Sequence, residues 1–491
     1  MPSMTVGYFA VGQIRDAEAE LFTRVPDGTP MRRAAWGLAS IVGRELKRHT
    51  GSVSGRRVGL LVGSGDNGGD ALWAGAFLRR RGVAVDAVVL QPERVHSAGF
   101  RALLDAGGRV VNEFGTGVQH PDLVLDGIVG ISGQGPLRPK AAQHVERITA
   151  PIIAVDLPSG VDPNTGSVSG PAVKATMTVT FGALKPVHAL ASAMCGQIEL
   201  VPIGLSLPEP SIIELTDADV GQHWPVPGPA DHKYSLGVTG VLAGSAKYPG
   251  AAVLCAGGAI AAKSGMVRFV GSAAPSVVGR FPEAIATDSY PPAGRVDAWV
   301  VGPGFGVDDA ARRTLVAVLE RNQPTVLDAD ALTVLAGDTG VLKGRTAALV
   351  VTPHAREFAR LAGTEPSGDR VDAAQELAEN LSATVLLKGN ATVVATPHHS
   401  TGVVVAHSSW AATPGTGDVL AGVIGALLGA NLNAHQAAMM GAHVHALAAR
   451  IGAGSLSLNG EVSAGNPISA SALLTALPLA IRYVRAAATQ T

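Results

Sequence analysis

The run Arg57–Val62 (RVGLLV) passes directly into a glycine-rich turn, GSGDNGGD (Gly63–Asp70), and a helical pattern over 70–81 follows. An almost unbroken apolar strand, a tight turn and a helix form the unit from which parallel sheets with helices on both faces are built. The unit recurs: Val83–Leu90, Leu123–Asp126 and Ile152–Asp156 read as further strands, the last two ending on an acid. Upstream, Met31, Ala34, Ala35, Leu38, Ile41, Val42 and Leu46 fall at helical spacing and predict a packing helix. In such a sheet, functional residues belong at the carboxyl ends of the strands.

Between Ile203 and Tyr234 the rhythm breaks, with prolines at 208, 210, 225, 227 and 229. A domain boundary is expected near Ser211, giving domains 1–210 and 211–491. The α/β pattern restarts at Gly237–Ala243 and continues through Val296–Val301, Thr325–Leu327, Ala348–Val351 and Val385–Leu387, before three apolar helical segments. With 491 residues, 47% of them hydrophobic, each half has enough apolar side chains for its own core.

Lys and Arg number 38 against 39 Asp and Glu, so there is no basic excess to favour nucleic acid or a membrane surface as partner. Two distant cysteines, Cys195 and Cys255, and an N-terminus without a basic signal segment lead us to expect a cytoplasmic protein. The uncharged stretch Val419–Ala449 is split by Asn431, Asn433, His435 and Gln436 into pieces shorter than a membrane span.

Gly63, Gly65 and Gly68 have the spacing of a dinucleotide fingerprint, and Asp86 lies at about the distance of a ribose-binding acid. Against that, Asp66 and Asp70 would face a pyrophosphate, and Asp86 falls in mid-strand. The remaining readings are a structural turn, or a small site in which Asn67 and carboxylates hold a cation and a polar ligand. The strand ends DGIVG (Asp126–Gly130) and DLPSG (Asp156–Gly160) lie on the same sheet edge and favour the site.

In the second half, Gly415-Thr416-Gly417-Asp418 precedes the apolar run Val419–Gly429. Glycines there let backbone N–H groups reach a phosphate at a helix N-terminus. Asp418 would repel that phosphate. It reads as a base taking a proton from a hydroxyl, or as an ordinary acid favoured by the helix dipole. Other strand ends carry Thr352-Pro353-His354 with Glu357, Asp328-Ala329-Asp330, Lys388-Gly389 and Gly302-Pro303-Gly304-Phe305-Gly306. A Walker A sequence is absent.

With these motifs in this order, nearly the whole chain resembles the bifunctional NAD(P)H-hydrate repair enzymes. GSGDNGGD, DGIVG, AVDLPSGVD and ATMTVTFGALKP resemble the epimerase domain. HKYSLG, GSAKYPGAA, VVGPGFG, VLDADAL, VTPHAREFARL, LLKGNATVVA and PGTGDVLAG resemble the ADP-dependent dehydratase domain. The resemblance implies an N-terminal Rossmann-like three-layer α/β/α domain followed by a ribokinase-like α/β domain. It implies that the first interconverts the R and S hydrates of NADH and NADPH (NADHX and NADPHX). The second would phosphorylate the added hydroxyl of the S form with ADP and eliminate phosphate.

For the first domain the resemblance implies potassium at Asn67, Asp126 and Ser159. The hydrate would be contacted by Asp66, Asn67, Gly68, Gly69 and Asp70, by the loop Gly130, Ile131, Ser132, Gly133, Gln134, Gly135 and Pro136, and by Asp156, which is also a catalytic candidate. For the second it implies hydrate contacts from Ala251, Gly304 or Gly306, His354 and Asp418. Lys388, Gly389, Asn390, Ala391, Thr392 and Gly417 would bind the adenine nucleotide with Mg²⁺, and Asp418 would be the base. A homo-oligomer is expected. The chain departs from the family pattern at Asp66 (for Asn), Ala71 (for Gly), Ser408-Ser409-Trp410 (for Asn-Pro) and Pro414 (for Gly). Two alternatives stay open: a ribokinase-type kinase that releases its phosphorylated product, and a first domain that only binds or oligomerises.

Overall fold

The computed structural model describes residues 5–115, 117–291, 294–366 and 368–489. The chain divides into two compact units, Gly7–Ser211 and the residues from Ile212 on, with which Val6 is grouped.

The Gly7–Ser211 unit is built on a seven-stranded parallel sheet. Its strands lie in the order Arg109–Val110, Ala84–Val89, Arg57–Val62, Leu123–Gly127, Ile152–Val155, Met177–Phe181 and Gln197–Val201. The order runs backward along the chain as far as Arg57–Val62 and forward from Leu123–Gly127, so the switch point lies between those two strands. Val58, Leu60 and Val62 pack with Leu38, Leu46, Leu72 and Leu78 from the helices Thr29–Thr50 and Asp66–Arg79. Leu61 and Val124 join a second cluster with Leu137 and Ala141.

The helix after the glycine-rich turn begins at Asp66, four residues before its expected start at 70. The turn is itself the first helical turn: a Cβ on Gly63 would lie 1.8 Å from the Ile128 carbonyl oxygen, so only glycine lets the chain enter the helix so soon. Asp86 is buried in mid-strand, 2.5 Å from Arg57 and 2.8 Å from Arg109, and is committed to that structural network. Met177–Phe181 (MTVTF) and Gln197–Val201 (QIELV) are strands that a search for apolar runs does not find, because threonine, Gln and Glu interrupt them.

In the second unit ten strands share one sheet: Ile212–Glu214, Thr401–Val405, Ala391–Ala395, Thr384–Leu387, Leu349–Val351, Thr325–Leu327, Ala298–Val301, Val238–Leu242, Met266–Val270 and Ile285–Thr287. Pairing is parallel except on both sides of Ala391–Ala395. The helices Pro249–Ala261 and Thr416–Gly429 pack so closely that a Cβ on Gly422 would meet the Cys255 carbonyl at 2.0 Å. The uncharged stretch forms two buried helices, Thr416–Gly429 and Ala434–Gly452. The break has a local cause: Asn431 takes a left-handed φ of 69°, and Asn433 caps the next helix by accepting from Gln436 N at 2.8 Å. Among the described residues no helix is long and apolar enough to cross a membrane.

Candidate active sites

In the first unit, Asn67 lies in the opening turn of Asp66–Arg79 and donates its side-chain amide to the carbonyls of Val155 and, at 3.3 Å, Val129. Asp126 is fully buried near the end of Leu123–Gly127. Its carboxylate accepts from Ser159 Oγ (2.7 Å), Ser159 N (2.8 Å) and Ile128 N (3.2 Å). Three expected residues thus gather around two backbone carbonyls. Burial pushes the Asp126 carboxyl up to about 6, although the Ser159 and Ile128 hydrogen bonds oppose it. Asp126 has no ion-pair partner among the described residues. Carbonyl, hydroxyl and amide oxygens around one uncompensated carboxylate suit a large monovalent cation.

A second cluster surrounds Asp156, held at a left-handed φ of 71° just past Ile152–Val155. Its carboxylate accepts from Lys185 Nζ, from Thr180 Oγ1 at 2.9 Å and from Phe181 N at 3.3 Å. Lys185 is itself 1% exposed. Burial alone would raise the Asp156 pKa, but Lys185 and the hydrogen bonds outweigh it and hold the group below its ordinary value. His188 Nε2 lies 2.9 Å from the Asp156 carbonyl oxygen. Burial, then the Lys185 charge, push that imidazole down to about 4.

Asp70 behaves oppositely. It is buried, its Oδ1 has no hydrogen-bond partner among the described residues, and burial followed by the charges of Asp156, Asp66 and Glu18 pushes it well above the carboxylate range. The site therefore holds two carboxyls whose proton affinities are pushed in opposite directions. The 130–136 loop starts beside it, since a Cβ on Gly130 would come within 2.3 Å of Asn67 Oδ1.

In the second unit Asp418 sits in the first turn of Thr416–Gly429, entered through Gly415 at φ 90°. Lys388, one residue past Thr384–Leu387, donates to Asp328 Oδ1 at 2.7 Å and lies 3.7 Å from Glu357 Oε2. Asp328 also accepts from Thr352 Oγ1 at 2.8 Å. A Cβ placed on Gly417 would lie 3.5 Å from Lys388 Nζ and 3.8 Å from Asp328 Oδ2, so the glycine that opens the helix faces this pair. Burial pushes Asp418 up to about 7, Asp328 adds to the rise and Lys388 opposes it. Burial would lower Lys388, but Asp328 and Glu357 outweigh it and keep the ammonium charged.

A cleft of about 410 Å³ is lined by His354, Lys388, Gly389, Asn390, Thr392 and Gly417. Ala391 does not line it and is buried in its strand. His354 caps Ala355–Ala362, with its backbone N–H donating to Glu357 at 2.9 Å. Gly304 abuts Ala251, to whose Cβ an added Cβ would come within 2.9 Å, whereas Gly306 N donates to Asp330 Oδ2 at 2.9 Å.

Two family models cover the two halves: residues 29–187 match the YjeF-related protein N-terminus, and residues 239–458 match NAD(P)H-hydrate dehydratase. The chain is 56% identical over 449 residues to the bifunctional NAD(P)H-hydrate repair enzyme Nnr of Mycobacterium leprae, covering 91% of this chain and 94% of that one. The chain belongs to the bifunctional NAD(P)H-hydrate repair enzymes. The Escherichia coli member of this repair-enzyme family is 32% identical, with 80% of each chain covered. The ADP/ATP-dependent NAD(P)H-hydrate dehydratase of Bacillus subtilis, co-crystallized with ATP/Mg²⁺, matches 55% of this chain and 98% of its own at 27% identity and a TM-score of 0.50. A ribokinase-like superfamily protein of Enterococcus faecalis matches 57% of this chain and 98% of its own, at 21% identity and a TM-score of 0.50, and shows the fold.

Residue-by-residue reading missed Thr180, Lys185 and His188 around Asp156, and Ala442 and His445 in the nucleotide-side cleft. Lys185 had a signal: a single lysine in the apolar stretch TFGALKPV is rarely buried without a partner. His445, donating to the Thr416 carbonyl at 2.9 Å, had none, because it lies on a helix that only tertiary packing brings to the loop.

Proposed function

We propose that this chain repairs hydrated NADH and NADPH, with residues 1–210 epimerising R and S NAD(P)HX and residues 211–491 dehydrating the S form with ADP. The observation that carries the reading is Asp418: a carboxyl held at about 7 at a glycine-rich helix start, facing an ammonium. A base works best with a pKa near the working pH.

In the second unit Asp418 takes the proton of the added hydroxyl as its oxygen attacks the terminal phosphoryl of ADP. Lys388 supplies positive charge beside the Gly417 N-terminus, where the nucleotide phosphates lie. Mg²⁺, when bound with the nucleotide, offsets charge on the transferring phosphoryl. Hydration of an enamine places the hydroxyl on the carbon next to nitrogen. Once phosphorylated, that C–O bond breaks with the push of the nitrogen lone pair, and loss of a proton from the adjoining carbon restores the dihydronicotinamide. Of the two candidate glycines we assign Gly304, the neighbour of Ala251, to the hydrate.

In the first unit Asp70, its pKa raised, gives a proton to the same hydroxyl as the C–O bond opens to an iminium and water leaves; a second water adds to the opposite face and gives its proton to solvent, from which Asp70 regains one. Ionised Asp156 stabilises the cation, and Lys185 and Thr180 hold it in place. Asn67, Asp126 and Ser159, with the carbonyls near them, fit potassium, which would compensate the buried Asp126 charge.

The test mixes purified protein with the hydrates, ADP, Mg²⁺ and potassium, and follows reduced-nicotinamide absorbance and phosphate release together. Equal, ADP-dependent rises support repair. A stable phosphorylated product without recovery of absorbance would replace this reading with that of a kinase.

A further inference from the structure

The hydrate-facing groups of the first unit gather at the switch point, in the turn after Arg57–Val62 (Asp70) and just past Ile152–Val155 (Asp156). A dinucleotide in a doubly wound sheet lies across the switch point and extends over the neighbouring strands. Beyond Arg57–Val62, at the carboxyl ends of Ala84–Val89 and Arg109–Val110, a separate cleft of about 500 Å³ opens. Its size lies within the range of small-molecule pockets.

We propose that this cleft binds the adenosine half of the dinucleotide hydrate and that Lys140 and Arg147 read its 2′-phosphate. The inference rests on the epimerase reading and names the substrate subsite that completes it.

Three observations converge. First, from Ile152–Val155 to Ala84–Val89 is three strand spacings, about 14 Å at ~4.8 Å each, a distance an extended dinucleotide bridges. Second, Val89, Phe100 and Val110 give the cleft an apolar floor suited to a purine. Third, Lys140 and His144 are one turn apart on Pro139–Glu146 and Arg147 follows, all lining the cleft. Glu113 is the one carboxylate in the lining and pairs with Arg147 at 2.5 Å, so the wall keeps a net positive charge that a phosphate dianion would meet. The charge of Asp66 also keeps phosphates off the glycine-rich turn, so the grip on the nucleotide comes from its far end.

The experiment uses the full chain without ADP, so that dehydration does not draw off product, and measures epimerisation of (R)-NADPHX and (R)-NADHX. The variant Lys140→Ala/Arg147→Ala should raise KM for NADPHX about tenfold, leave KM for NADHX within twofold and leave both kcat values unchanged. Val110→Trp, which fills the floor, should raise KM for both. Equal effects of the double variant on the two substrates, or no effect of either variant, overturn the subsite. Hydrogen exchange with 2′,5′-adenosine bisphosphate as probe separates the two levels of the argument. Protection of 109–113 and 139–147 that the double variant abolishes keeps the subsite even if wild-type epimerisation is absent. Absence of that protection overturns it.

Discussion

Lys388 Nζ lies 2.7 Å from Asp328 Oδ1, so the carboxylate that helps raise Asp418 is itself partly neutralised by the lysine that faces the phosphate loop. Together with burial, the pair sets the proton affinity of Asp418, the proposed base. As the proposed base, Asp418 would act only when deprotonated, and its pKa of about 7 means that this form is depleted as pH falls. We expect kcat/KM for dehydration to be level above about pH 8 and to fall about tenfold per unit below 7. Asp328→Asn should shift that acid limb downward. A limb that stays in place would show that burial alone sets the pKa.

Asp418→Asn keeps the shape and hydrogen-bonding span of the side chain but cannot take a proton. Dehydration should fall by roughly 10²–10⁴-fold while ADP binding, read by calorimetry, changes little. Retained turnover would remove Asp418 from the base role.

Asp156 and Lys185 form a buried pair, and removing one partner leaves an uncompensated charge. Asp156→Ala should abolish epimerisation, leave dehydration of the S hydrate normal, and destabilise the first unit by about 3–5 kcal/mol in denaturant unfolding. Asp156→Ala/Lys185→Met should recover most of that stability without recovering activity. If the double variant is as unstable as the single one, the loss arises from packing and not from the bare ammonium.

Potassium binding only to the folded first unit would stabilise it by mass action, by up to ~3 kcal/mol at a hundredfold excess over Kd, and so raise its unfolding temperature. Replacing potassium by choline should lower that temperature in wild type and have no effect in Asp126→Asn. The two-cation comparison at fixed ionic strength checks it.

Much of this was legible locally. Buried parallel strands announce themselves as apolar runs, and their polar ends mark the strand ends near which Asn67, Asp126 and Asp156 lie in the first unit and Asp328, Lys388 and Asp418 in the second. Where the apolar run was diluted, as in MTVTF, the strand was not visible. Where glycine removed the steric limit, as at Gly63, the helix began earlier than its periodicity announced.

The sequence by itself determined the strand–turn–helix alternation, the break near Ser211 and the kinds of side chain at each strand end, because backbone geometry and apolar periodicity act over a few residues. Only the tertiary structure decided which of those side chains meet. Lys185 reaches Asp156 across 29 positions and Lys388 reaches Asp328 across 60. It also decided in which direction each carboxyl's proton affinity moves. Asp70 and Asp156 are the same residue type, and what separates them is desolvation against a nearby ammonium, which exists only once distant segments have packed.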